Sequence, residues 1–239
     1  MTREKFHRQM EEIRARWHRV ALKVLDSFKI SSRNLVDQDE EEIRSVIGVD
    51  ALVLNETREV QRGCLELLAL QQPMAVDLRT ISSLLRSADD IERINRSCIH
   101  IAEVARAKLY DMDIDEFQKI LLLADQVRDQ LERGIGAFNS RDIETARFVI
   151  ERDAEIDSLH SEIFGSLLNR VKNDDAKASL LMFVSRWLER IGDRAVKVAS
   201  RAIYIVEGED VEYEAEIGEH KIFPNGTKNR NNGNGPAAQ

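Results

Sequence analysis

Ile91–Arg96 reads IERINR and Leu188–Asp193 reads LERIGD, and these two similar stretches, 97 residues apart, decide the fold. Downstream, the similarity continues at positions spaced for one buried helix face: Ile99 with Val196, Ile101 with Val198, Ala102 with Ala199, and Ala105 with Ala202. Upstream, a spacing of 103 matches Asp39 with Asp142, Val46 with Val149, Ile47 with Ile150, and Asp50 with Asp153. The chain is therefore a tandem duplication of a multi-helix unit.

Composition favours helices and argues against several classes of partner. The 239 residues include only 3 Pro and 11 Gly, and Leu, Ala, Glu, Arg and Ile are abundant. A net charge of −8 without a dominant Lys/Arg cluster argues against nucleic acid. We expect no membrane insertion, because the apolar runs are far too short. With no export signal at the start, Cys64 and Cys98 are predicted to be reduced and buried, which indicates a cytoplasmic protein.

Hydrophobic periodicity predicts an all-α fold of six long helices, three in each copy. The predicted helices span residues 6–35, 40–70, a third after Pro73 that reaches beyond Cys98, 114–138, 143–171 and 176–206. Long rods joined by short turns pack as antiparallel bundles, so we expect two pseudo-symmetric three-helix bundles. We place the repeats at residues 1–110 and 111–207, and we predict a mostly disordered tail at 208–239.

Copy two carries an acidic pair on each of two helices: Asp153 with Asp157, and Glu189 with Asp193. Residues four apart share a helix face, so four carboxylates converge if the two faces meet. Crowded carboxylates repel one another, and a cation held by oxygen ligands removes that penalty. His160 lies three residues beyond Asp157 and offers one nitrogen ligand. The alternative is a solvated acidic face paired with nearby arginines, and spacing alone does not decide between the two.

The acidic pairs and His160 give little support to the hypothesis that the protein is an enzyme. A dinuclear-iron oxidase bundle uses Glu-x-x-His on two helices, and this chain has a single Asp157-x-x-His160. There is no Gly-rich phosphate loop, Gly-x-Ser-x-Gly elbow or His-Glu-x-x-His. We therefore predict no catalytic residues and no organic cofactor.

Three separated motifs give the chain a family resemblance. They are Leu68–Arg79 (LALQQPMAVDLR), Ile150–Asp157 (IERDAEID) and Leu188–Asp193 (LERIGD). Together they resemble the PhoU family, the accessory regulators of the phosphate-specific transport system, over roughly residues 3–207. The resemblance implies metal clusters on Glu/Asp-x-x-x-Asp motifs. It also implies a non-enzymatic regulator that restrains the phosphate-starvation response by acting between the ATPase of a phosphate ABC transporter and a membrane sensor histidine kinase.

Copy one departs from the acidic pattern of that family. Leu54 stands opposite Asp157, and Arg96 stands opposite Asp193, where its charge is expected to pair with Glu92 or Asp50. The first site, formed by Asp50, Glu92 and Asp77, is therefore predicted to be lost or weakened. Asp77 and Asp174 occupy equivalent places and are either metal ligands or helix N-caps.

The leading hypothesis is a cytoplasmic phosphate-signalling adaptor that forms a homodimer and binds iron, Zn, Mg or Mn at Asp153, Asp157, Glu189 and Asp193. The alternatives are a metal-binding helical adaptor for a different transporter or kinase, and a metal-dependent hydrolase centred on the same carboxylates.

Overall fold

The computed structural model describes residues 3–109, 115–173 and 175–211, which are almost entirely helical. The helices are α1 (Arg3–Asp37), α2 (Glu40–Gly48), α3 (Asp50–Gln71), α4 (Val76–Ala105), α5 (Asp115–Ser140), α6 (Ile143–Val171) and α7 (Ala176–Val206). No helix in these ranges is long and apolar enough to cross a membrane.

The helix predicted over residues 40–70 is interrupted at Val49, which separates α2 from α3. The Val49 amide donates to the Val46 carbonyl, three residues back, at 3.4 Å. Gly48, which precedes it, is the poorest helix former apart from proline. In copy two, Glu151 takes the place of Gly48, and α6 runs unbroken for 29 residues. The two copies therefore share a plan of three rods, and one rod of copy one is bent.

Each repeat forms an antiparallel three-helix bundle, as the sequence predicts. α1, α2–α3 and α4 pack together in copy one, and α5, α6 and α7 pack together in copy two. The bundles join where α4 packs on α7 and α1 on α5. Where α1 packs on α5, the ring centroids of Trp17 and Phe138 lie 4.4 Å apart. Among residues 3–109, 115–173 and 175–211, one main hydrophobic core runs through both repeats, and a small cluster around Ala199 and Ile203 lies apart.

The N-caps of α2 and α6 are equivalent in the two repeats, whereas those of α4 and α7 differ. Asp39 caps α2 and Asp142 caps α6, each through a carboxylate that accepts two backbone amides. Of the two alternatives for Asp77, the helix N-cap is wrong. Ala75 is the N-cap residue, with a φ of 49°, and no side chain caps the helix there. Asp77 lies in the first turn, where its negative charge interacts favourably with the helix dipole.

The predicted tail begins with residues that pack on the body of the protein. Arg79 donates from Nε to the Ile205 carbonyl at 3.0 Å, and Gly208 lies against the same guanidinium with a φ of +86°. Asp210 lies 3.6 Å from Arg86 as an ion pair. Residues 208–211 therefore belong to the described structure, and the remainder of the predicted tail lies outside it.

Two glycines of α5 are expected to respond oppositely to alanine. At Gly134 an added Cβ would stand 2.7 Å from the Ala195 carbonyl oxygen of α7, so Gly134→Ala should force the helices apart and cost about 1–3 kcal/mol. At Gly136 nothing lies within 4 Å, so Gly136→Ala should stabilise the helix by about 0.5–1 kcal/mol. Urea midpoints of the two variants measure both effects. Equal midpoints would show that α5 and α7 do not approach so closely.

Candidate metal centre

Three of the predicted ligands meet on the face between α6 and α7. Asp153 and Asp157 lie one turn apart on α6, and Asp193 faces them from α7. One carboxylate oxygen from each lies within 4.8 Å of the others. Asp157 is exposed, whereas Asp153 and Asp193 are half-buried. The structure therefore brings the two acidic motifs together into one cluster open to solvent at one side.

Glu189, the fourth predicted carboxylate, stands beside the cluster but is turned partly toward Arg186. Its Oε1 atom accepts from Arg186 Nη1 at 2.9 Å. Its Oε2 atom is buried and has no hydrogen-bond donor among the described residues. Burial raises the pKa of Glu189, and the charges of Asp157 and Asp153 raise it further. A buried carboxylate oxygen without a donor is an available ligand beside the cluster.

The cluster is electrostatically costly without a cation. Burial raises the pKa of Asp153 to about 6, with smaller contributions from Asp157 and Asp193, and the hydrogen bond from Gln130 opposes the shift. Burial also raises the pKa of Asp193 to about 6, followed by repulsion from Glu189 and Asp157. Both aspartates titrate near 3.8 when solvated. The fold therefore holds carboxylates together where each disfavours the charge of the next.

These residues fit a divalent or trivalent cation. Hard cations such as Mg²⁺ and Mn²⁺ take carboxylate oxygens as ligands and supply the positive charge that removes the repulsion. The open position at Asp157 leaves space for water or a further ligand. Such a cation would act structurally, by holding α6 and α7 together.

Of the two additional ligands that the sequence predicts, His160 lies within the described residues and Asp174 does not. His160 is 9% exposed, and its Nδ1 atom lies 2.8 Å from Ser185 Oγ, so the histidine joins α6 to α7. Burial lowers the pKa of His160, which favours the neutral ring. The carboxylate cluster does not include it. Asp174 lies outside the described residues, and the adjacent Asp175 caps α7 by accepting from the Ala178 amide at 3.1 Å.

The copy-one positions make local pairs. Arg96 donates to Glu92 at 2.5 Å, which is one of the two pairings that the sequence predicts. Asp50 accepts from the Asn95 side chain at 3.1 Å. Asn95 occupies the place that Gly192 holds in copy two. Asp50 and Glu92 therefore each have their own donor, and a weakened first site remains a prediction.

Two supporting residues escape sequence reasoning. Gln130 of α5 donates from Nε2 to Asp153 at 3.0 Å and fixes that carboxylate. Asp129 beside it pairs with Arg152 at 3.0 Å and Arg133 at 2.8 Å, and both guanidinium groups lie over the Phe148 ring. These residues lie on α5, outside the three motifs that carry the family resemblance. Only the position of α5 against α6 reveals them.

The family model and the related sequences that match this chain all belong to one family. The family model described as PhoU domain matches residues 18–105 and 120–202. A phosphate-specific transport system accessory protein PhoU homolog of Clostridium acetobutylicum is 29% identical over 216 residues, covering 89% of this chain and 99% of that protein. PhoU homolog 1 of Methanothermobacter thermautotrophicus is 30% identical over 210 residues, covering 84% and 94% of the two chains.

Solved structures share the fold. The crystal structure of PhoU from Pseudomonas aeruginosa superposes with a TM-score of 0.81 at 25% identity, covering 85% of this chain and all of that one. The phosphate transport system regulatory protein PhoU from Streptococcus pneumoniae has a TM-score of 0.77 at 20% identity, and this likeness concerns the fold alone.

Proposed function

This chain belongs to the PhoU family, and on that premise we propose that it regulates phosphate uptake as an accessory protein of a phosphate transport system. The observation that carries the proposal is the family match, which extends over both repeats. Relatives that cover most of the chain are named as accessory proteins of phosphate-specific transport. It is an accessory regulatory protein and not an enzyme.

The finer part of the proposal is a metal-binding adaptor. The convergence of Asp153, Asp157 and Asp193 within 4.8 Å supports a cation site, with Glu189 beside it. In this proposal the cation is structural and neutralises the carboxylates that the α6–α7 face crowds together. Iron, Zn, Mg and Mn all remain candidates for its identity.

The proposed partners are the ATPase of a phosphate ABC transporter and a sensor histidine kinase, with the protein acting as a cytoplasmic homodimer. The long rods present extended polar faces on which other proteins can dock. The second candidate function is an adaptor of the same fold for a different transporter or kinase. A metal-dependent hydrolase has less support, because the sequence has no His-Glu-x-x-His or Gly-x-Ser-x-Gly motif.

Deleting the gene should raise phosphate uptake and phosphate-starvation reporter activity in cells grown in rich phosphate. The reason is that the regulator normally restrains both when phosphate is plentiful. Reporter activity and radiolabelled phosphate uptake measure the effect, and expression of the wild-type chain from a plasmid should reverse it. The purified protein should also retain the transporter ATPase in a pull-down.

Uptake and reporter activity that match the wild type in rich phosphate would refute the phosphate assignment and favour an adaptor for another system. Retention of a different ATPase in the pull-down would lead to the same conclusion.

A further inference from the structure

The seam between α4 and α7 presents a basic and aromatic surface. Arg79, Arg86, Arg93 and His100 recur every seven residues along α4, so they share one face. α7 runs antiparallel beside them, because Arg79 contacts Ile205 near one end and His100 stacks on Trp187 near the other. We call this surface the α4–α7 seam.

The far end of the seam is a stack of rings in which His100 and Phe183 are exposed and Trp187 is partly buried. The ring centroids of His100 and Trp187 lie 5.1 Å apart, and those of Trp187 and Phe183 lie 5.9 Å apart. The interplanar angle is 25° in each pair. The Phe183 side chain is 57% exposed. Exposed aromatic carbon of this extent is unfavourable in water, so an apolar group that covers the stack would stabilise the seam.

The middle of the seam has an excess of positive charge. Within the described ranges, no carboxylate lies at ion-pair distance from Arg93, which is exposed. Arg194 faces it from α7, and the Arg194 Nε atom is buried without an acceptor. An acidic ligand would relieve both arginines.

The chain itself turns onto this seam after α7. Glu207 pairs with Arg147 at 2.7 Å, and Gly208 then lies against Arg79. Two residues later, Asp210 reaches Arg86, one step of the seven-residue pattern further along α4. The described chain therefore leaves α7 and travels along α4 toward Arg93.

The sequence that follows complements the seam. Residues 209–219 read EDVEYEAEIGE, with six acidic residues and no basic one, and Ile217, Ile222 and Phe223 supply apolar side chains. Glu212, Glu214 and Glu216 alternate with Tyr213, Ala215 and Ile217. One segment thus combines the negative charge that the middle of the seam lacks with the apolar groups that its end lacks.

The segment is also long enough. Fourteen residues of α4 separate Arg86 from His100, or about 21 Å at 1.5 Å per residue. An extended chain covers that distance in about seven residues, which places Ile217 at the ring stack. A helical chain needs about fourteen, which places Phe223 within one residue of it.

We propose that residues 212–223 bind along the α4–α7 seam of the same molecule, with the glutamates on Arg93 and Arg194 and the apolar side chains on His100, Trp187 and Phe183. The segment is an intramolecular ligand that occupies this face. Another protein that uses the seam must displace it. The proposal is independent of phosphate regulation, because it rests on contacts within one chain.

Acrylamide quenching of tryptophan fluorescence tests the proposal directly. The chain has two tryptophans, and Trp17 is 1% exposed, so quenching reports mainly on Trp187. Ending the chain at Val211 should raise the quenching constant, because the cover is gone, and all described core residues remain in that variant. A synthetic peptide of residues 212–223 should restore protection, and added salt should weaken its binding.

Charge reversal in the full chain supplies the matched comparison. In the full chain, Arg93→Glu should increase quenching of Trp187. In the chain that ends at Val211, the same change should weaken binding of the peptide by about threefold, which is the effect of one exposed charge pair. Arg58→Glu, which changes an exposed arginine on α3 outside the seam, should change neither.

Equal quenching of the full and truncated chains, with no binding of the peptide, would overturn the proposal. Protection that disappears on dilution would also overturn it, because the cover would then come from a second molecule. Melting temperatures of all variants establish that each is folded during the measurement.

Discussion

Replacing Asp90 by Asn should destabilise the protein by about 3–5 kcal/mol, because it leaves the Arg201 guanidinium buried without its counter-charge. The two groups lie 2.6 Å apart between α4 and α7, and their side chains are only 12% and 6% exposed. For a chain of this size the expected loss is on the order of 10 °C in melting temperature. Differential scanning calorimetry and urea unfolding measure it.

A double-mutant cycle separates the pair from its burial. Arg201→Met alone should also cost several kcal/mol, because it leaves Asp90 buried, whereas Asp90→Leu with Arg201→Met should cost much less than the sum of the single changes. Glu92→Gln on the same helix is the surface control. It breaks the Arg96–Glu92 pair, in which Arg96 is 61% exposed, and should cost at most about 1 kcal/mol. Additive single effects would show that Asp90 and Arg201 do not interact in the folded protein.

Asp193→Asn should stabilise the metal-free protein and abolish its stabilisation by metal. In the presence of a chelator, the change removes one of three crowded carboxylates and should gain about 1 kcal/mol after allowance for solvent screening. Added Mn²⁺ or Zn²⁺ should raise the melting temperature of the wild type but not of the variant, because a ligand is lost. Elemental analysis after gentle purification should show less metal in the variant.

The same carboxylates give the chelator-treated protein a characteristic pH dependence. The pKa values of Asp153 and Asp193 are about 6 in the folded protein and near 3.8 in solvent. Between these values the folded state binds more protons than the unfolded state, so stability rises as the pH falls through 6 and levels off near 4. Asp193→Asn should flatten this rise.

The control for the metal prediction is Asp50→Asn, in the copy-one position equivalent to Asp153. Asp50 has its own donor in Asn95 and belongs to no cluster of three carboxylates among the described residues, so this change should not affect metal content. If Asp50→Asn removes as much metal as Asp193→Asn, copy one carries a site of equal strength.

Much of the fold could be predicted from periodicity. The boundaries predicted for α6 and α7, 143–171 and 176–206, agree with the structure because Asp142 and Asp175 give clear starts. The break at Val49 was not predicted, since one glycine in a long amphipathic pattern is commonly tolerated. The N-cap alternative for Asp77 did not hold, because Ala75 takes the cap position with a positive φ that sequence does not signal.

The candidate site was predictable in part. Spacing along each helix indicates which carboxylates share a face, and the duplication indicates which helices pair. The distances among Asp153, Asp157 and Asp193, and the turn of Glu189 toward Arg186, depend on how α6 meets α7. Gln130 could be found only from packing, because no local motif marks it.

The antiparallel contact of α4 with α7 has an evolutionary consequence. Two equivalent helices that pack on each other reproduce the isologous interface of a symmetric dimer, in which every contact occurs twice. In a single chain that carries both halves, this obligation does not apply. Asp90 stands where the other half has Trp187, and Arg201 where it has Val104, so the buried pair occurs once. A residue in one half can therefore differ from its counterpart without a matching change in the other, so one polypeptide has two unlike ends.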